Sequence, residues 1–220
     1  ILRPTGEADF TATFVPLPMP PAGCLWLKNP VLLLFICFIV GFFQFHTPVV
    51  TWLCTLLGAT AGFGRLGVYL AVFGGFGFVC WRLVLAIVRF AVHDGMQRAK
   101  KVITEQKPEI VIGFSWGGAI LYWLLEGNHL KNWRGNTCLL APTVKMLSKF
   151  SGCPAPGLPQ RQPLPMIFHA SDDPFCSEAQ LEWFAPQPVD IVQLNDGHAL
   201  CEPESLFKMR TWFLKALNQS

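Results

Sequence analysis

A serine, a pair of aspartates and a histidine stand in this chain in three short motifs, each just after an apolar run. GFSWG, residues 113–117, sets Ser115 between Gly113 and Gly117, directly after Ile110–Ile112 and directly before a helical pattern. HASDDP, residues 169–174, carries Asp172 and Asp173, and DGHALCEPE, residues 196–204, carries His198. A serine hydroxyl is a weak nucleophile until a base takes its proton, and the base needs a carboxylate to orient it. Serine, acid and histidine in that chain order, each following a strand, is a pattern that supports acyl transfer. The G-x-S-x-G spacing adds a local reason. A sharp strand-to-helix turn strains its central residue, small neighbours keep the turn clear, and the hydroxyl stands exposed at the helix N-terminus.

These groups need a sheet whose carboxyl edge gathers them. From His93 onward the pattern supplies one. HDGMQRAKKVITEQK predicts a helix that Pro108 ends, EIVIGF a buried strand, and GGAILYWLLEG a helix. NTCLLAPTV, PMIFHASDDP and VDIVQLNDGH predict three further strands, with SEAQLEWFA and PESLFKMRTWFLKAL as helices and a Pro-rich loop at 151–165. Strands alternating with helices predict an α/β fold with a mostly parallel sheet flanked by helices.

With GFSWGG, HASDDP and DGHALCEPE in this order, the chain resembles the α/β-hydrolase family over about residues 93–220. HASDDP stands in the place of that family's G-x-x-D-P loop and DGHALCEPE in the place of its G-H loop. The resemblance implies that Ser115 is the nucleophile, His198 the general base and then acid, and Asp173 the orienting carboxylate. Counting from Ala170, where the family has glycine, the acid falls on Asp173, with Asp172 as the alternative. His46, His93, His129 and His169 lack a partner pattern, and His169 reads as structural. Asp196 reads as turn chemistry, since Asn-Asp-Gly favours a turn.

An oxyanion hole needs two N–H donors. One is the backbone N–H of Trp116. The second should come from a loop after an earlier strand, and VFGGFGF, residues 72–78, offers Gly74, Gly75 or Phe76. That assignment requires residues 66–92 to form strand, turn and strand, with little room before Ser115. The other reading of 66–92 is a third membrane helix, which leaves the hole incomplete.

The N-terminal half differs in character. The chain is 52% hydrophobic and only 14% charged, against about a quarter charged in an ordinary soluble domain. No Asp, Glu, Lys or Arg occurs between Lys28 and Arg65. The reading is an irregular leader over 1–28, a membrane-associated helical hairpin over 29–65, and a hydrolase domain over 66–220. Pro48 is expected to break the apolar run into helices at 30–45 and 48–64. Two such spans leave Lys28, Arg65, Arg82, Arg89, Arg98, Lys100 and Lys101 on one side, as the positive-inside rule prefers, so the domain is expected in the cytoplasm. The eight cysteines show no C-x-x-C pair and no disulfide framework, which favours a reducing compartment. A net charge of +3 with scattered basic residues argues against a nucleic-acid partner. No metal or other cofactor is implied.

The expected activity is that of a membrane-associated serine hydrolase acting on carboxylic esters or thioesters, small-molecule or lipid-like. The alternatives are an inactive hydrolase-like interaction protein and an acyltransferase on the same fold. Strand, turn and strand at 66–92 would favour the enzyme, and a third buried helix the interaction protein.

Overall fold

The computed structural model describes residue 13 and residues 29–58, 62–126, 129–130, 133–154, 157–158, 163–176 and 178–218. The 1–28 leader therefore lies outside the described residues apart from Thr13. Two long helices come first, α1 (Pro30–Leu56) and α2 (Phe63–Gln106). Strands and helices then alternate: β1 (Ile110–Phe114), α3 (Trp116–Glu126), β2 (Asn136–Leu140), α4 (Val144–Ser151), β3 (Met166–Ala170), α5 (Glu178–Phe184), β4 (Asp190–Leu194) and α6 (Pro203–Leu217).

The strands form one four-stranded sheet in the order β1-β2-β3-β4, and every pairing is parallel. Helix α3 covers one face and buries Ala119–Leu125 against Val111, Leu139 and Ile167. Helix α6 covers the other, where Met209, Trp212 and Phe213 meet Phe168 and Leu194. The α/β architecture expected from residue 93 onward is present. Helix α4 was not expected; its residues lay between a predicted strand and a predicted loop.

The N-terminal half differs from expectation in two ways. First, α1 passes through Pro48 as one helix of 27 residues. Pro48 removes a single ladder hydrogen bond. The helix on either side is braced against α2, where Phe42 meets Phe73 edge-on at 5.4 Å and Val50 packs beside Val68. Second, residues 66–92 are neither strand, turn and strand nor a separate third helix. They belong to the 44 residues of α2. The GGFG stretch costs helix stability, about 1 kcal/mol per glycine. A lone two-stranded ribbon, however, leaves edge N–H groups unpaired, whereas a helix satisfies its backbone within itself. Phe38 and Phe42 of α1 stack on Phe76 and hold that stretch helical.

The hairpin is thus α1 with the first half of α2, not 29–65. Both helices are long and apolar enough to cross a membrane by length and composition, and little of their apolar windows is buried. Asn29 anchors the base. Its Oδ1 accepts from the N–H groups of Val31 and Leu32, and its Nδ2 donates to Ile87 O at 3.3 Å. Arg65 therefore sits near the turn of the hairpin, away from Arg82 and Arg89, which corrects the one-sided placement expected above.

Candidate active site

Ser115 sits alone between β1 and α3 with φ of 53°, a left-handed conformation that is strained for a residue with a side chain. Its neighbours hold it there. Ser115 N–H donates to Leu140 O at 2.9 Å, and Ser115 O accepts from Ala119 N at 3.1 Å and Thr143 N at 3.3 Å. A Cβ on Gly113 would stand 2.7 Å from Gly117 O, and one on Gly118 would stand 3.0 Å from Gly113 O. A Cβ on Gly117 would meet nothing within 4 Å. The turn therefore depends on Gly113 and on Gly118, which lies outside the pentapeptide, rather than on both motif glycines.

The acid turn follows β3. Asp173 is buried; its Oδ1 accepts from Phe175 N at 2.8 Å and Cys176 N at 3.2 Å. Oδ2 is left for His198, whose Nδ1 lies 2.7 Å away. The other ring nitrogen, Nε2, is 2.8 Å from Ser115 Oγ. With a carboxylate at Nδ1 the neutral ring carries its proton there, so Nε2 accepts from the serine hydroxyl. Asp172 points into solvent, and only its backbone is tied down, through a bond from its N–H to Asp196 O at 3.1 Å. Of the two acids, the fold brings Asp173 to His198.

Supports lie behind the acid turn. His169, buried in β3, donates from Nε2 to Cys176 O at 2.9 Å, a structural role as expected. Cys176 and Gln180 both reach Pro142 O, and Gln180 Oε1 accepts from Lys145 N at 3.0 Å. Burial, reinforced by the Asp173 charge, pushes the Cys176 thiol up to about 12, so it is inert packing rather than a second nucleophile.

Asp196 shapes the histidine loop. Its Oδ1 accepts from Gly197 N at 2.7 Å and its Oδ2 from Glu202 N at 2.9 Å, which ties the loop to the start of α6. Desolvation alone would raise its carboxyl, but these donors and the Ser205 hydroxyl outweigh it and hold it below the usual range.

The expected oxyanion donors separate. Trp116 opens α3, and the first N–H groups of a helix have no intrahelical partner. Gly74 and Gly75 lie within α2, whose backbone N–H groups serve its own ladder. Gly75 also stands about 46 Å along the axis from Gln106, beyond the reach of a sheet about 17 Å tall. They are not oxyanion donors. Two residues with no sequence signal complete the mouth. Phe114 and Phe175 place their rings 5.2 Å and 5.0 Å from that of His198. No group of three or more His, Cys, Asp or Glu suited to hold a metal occurs among the described residues.

No protein-family model matches the chain, and no curated protein matches it. Among solved structures it is similar to a provisionally assigned hydrolase from Agrobacterium vitis S4, at 17% identity and a TM-score of 0.44, over 57% of this chain and 68% of that one.

Proposed function

We propose that this chain is a membrane-associated serine hydrolase that cleaves carboxylic esters or thioesters, lipid-like acyl compounds among them. The observation that carries the reading is the unbroken relay from Ser115 Oγ to His198 at 2.8 Å and from His198 to Asp173 at 2.7 Å, hung on a left-handed elbow. Ser115 Oγ attacks the acyl carbonyl while His198 Nε2 takes the hydroxyl proton, and Asp173 steadies the imidazolium. The Trp116 N–H faces the developing oxyanion. The bond to the alcohol or thiol breaks, His198 returns the proton to that leaving group, and an acyl-Ser115 remains. Water, deprotonated by His198, then releases the free acid. The hairpin of α1 and the first half of α2 holds the domain at a bilayer. Its base carries Arg82 and Arg89 against Arg65 near its turn, an excess that supports a cytoplasmic side for the domain.

A fluorophosphonate probe, applied to the full chain in detergent, tests this. Labelling of wild type that disappears in Ser115→Ala and His198→Ala is the expected result. A folded wild type that does not react refutes it. One observation favours a second reading: helix at 66–92 removes Gly74 and Gly75 as the second oxyanion donor. An interaction protein that keeps an idle triad fits that, and it is what an unreactive Ser115 would mean. An acyltransferase would react with the probe yet pass its acyl group to an added alcohol faster than to water.

A further inference from the structure

Helix α2 enters the sheet through Lys107, Pro108 and Glu109 alone, so its C-terminal end lies at the amino edge of the sheet. From there it runs back along the core, with Ile103, Met96, Val92 and Val88 packed into the cluster that α3 fills. Near Arg89 it reaches the level of the site. Arg89 Nε donates to Ser151 O at the end of α4, and Thr143, the cap residue just before α4, donates its N–H to Ser115 O. Beyond that point Trp81 still meets Phe150 of α4 at 6.4 Å, and α2 continues to Phe63, a rise of about 36 Å from Ile87. That is enough for a bilayer core of about 30 Å. Asn29 fixes the start of α1 to the same level through Ile87 O. The apolar hairpin therefore projects from the carboxyl edge of the sheet, the edge that carries Ser115, Asp173 and His198.

The same edge has an apolar lip. Phe114 and Phe175 are 47% and 49% exposed, and their rings bracket His198. Ile112, two residues back on the same face of β1, is 52% exposed. A single exposed apolar side chain is ordinary. Two that bracket the base of a serine relay, with a third continuing along the strand, form an apolar strip that ends at the nucleophile.

We propose that the mouth of the site faces the bilayer, and that Phe114 and Phe175 guide one acyl chain of a membrane lipid ester to Ser115, so that the lipid is cleaved without leaving the membrane. This rests on the serine-hydrolase reading. The Ser115 Oγ–acyl bond forms as the lipid's C–O bond breaks, the serine proton passes through His198 to the departing alcohol, and water later frees the fatty acid.

The test reconstitutes the full chain in phosphatidylcholine vesicles and follows two substrates, a long-chain diacylglycerol carried in the vesicles and water-soluble p-nitrophenyl acetate. Diacylglycerol in the enzyme's own vesicles should be cleaved at least about tenfold faster than the same lipid supplied in protein-free vesicles. Phe114→Ala and Phe175→Ala should each lower the kcat/KM ratio of diacylglycerol to acetate by about tenfold, the loss expected when an apolar contact to the chain goes. Equal cleavage from both vesicle populations, or a ratio that neither variant moves, overturns the proposal while acetate cleavage still supports the hydrolase. Absence of Ser115-dependent cleavage of either ester overturns the hydrolase reading, and this inference with it.

Discussion

Gly113→Ala tests the elbow most directly. The added Cβ would stand 2.7 Å from both Gly117 O and Gly118 Cα, and ordinary contact begins at 3.4 Å. Both obstacles are backbone, so no rotamer change relieves them. The first turn of α3 has to retreat from β1 by about 0.7 Å in a close-packed layer. Overpacking of this kind costs about 1–3 kcal/mol. For a chain of this size that lowers Tm by about 2–12 °C. The same retreat carries Ser115 with it. A displacement approaching 1 Å between reacting groups costs roughly a hundredfold in rate, so fluorophosphonate labelling should slow by one to two orders of magnitude. The control is Gly117→Ala, whose Cβ meets nothing within 4 Å. Alanine is the better helix former by up to about 1 kcal/mol, so its Tm should hold or rise. Thermal unfolding and labelling rate, measured side by side in detergent, decide it. A Gly113→Ala protein with wild-type Tm and labelling, or a Gly117→Ala protein as damaged as Gly113→Ala, would refute the steric account.

Asp173→Asn keeps an acceptor for the Phe175 and Cys176 N–H groups but cannot hold the imidazole in its working tautomer. Ester turnover should fall about 10⁴-fold with little change in Tm, while Asp172→Asn should leave both near wild type; the reverse pattern in an ester assay would move the acid to Asp172. Asp196 has a depressed folded pKa, so its contribution to stability is present above the usual carboxylate range and is lost as pH falls through the folded value. The Tm gap between wild type and Asp196→Asn should therefore be widest near neutrality and close in acid, and a gap that widens in acid would contradict the hydrogen-bond account. Gly75→Ala should leave fluorophosphonate labelling intact, because Gly75 lies in mid-helix with open space around it; abolished labelling would restore residues 74–77 to the oxyanion hole.

The α/β half was legible because its signals are local. Each strand after residue 109 is a short apolar run bounded by Pro, Gly or Asp, and each candidate group falls just past one. The Asp172–Asp173 choice yielded to spacing, since the turn that buries Asp173 sends its neighbour outward. The hairpin was misread because local rules lost to tertiary ones. Pro48 and GGFG are breakers in water, yet each lies in a helix braced by aromatic stacking from the other. The helix α4 has a narrow apolar face and only 8 residues, too short for periodicity to reveal. Phe114 and Phe175 were invisible for another reason. Their place beside His198 depends on the end of β1, the acid turn and the histidine loop meeting, and no spacing in the chain records that.

The sheet needs only four strands to assemble the relay, because its ladder continues past the strand ends. Ser115 N–H bonds to Leu140 O, Ala141 N–H to Phe168 O and Ser171 N–H to Leu194 O, each at 2.8–2.9 Å. The turns of the nucleophile and the acid are thus pinned to the next strand over, and the histidine loop after β4 is tied to the acid turn by the bond from Asp172 N–H to Asp196 O at 3.1 Å, so backbone bonding sets the separation of Ser115, Asp173 and His198. That device orients a proton relay. Gly74 and Gly75, the expected second oxyanion donors, lie instead in α2, and a single donor of that kind is worth about 10²–10³ in rate. On the serine-hydrolase reading proposed above, the two components of catalysis come apart: formation of a reactive serine depends on the backbone bonds, and the pace of turnover depends on what completes the hole. A chain that labels readily with fluorophosphonate but turns over soluble esters slowly is what this division predicts.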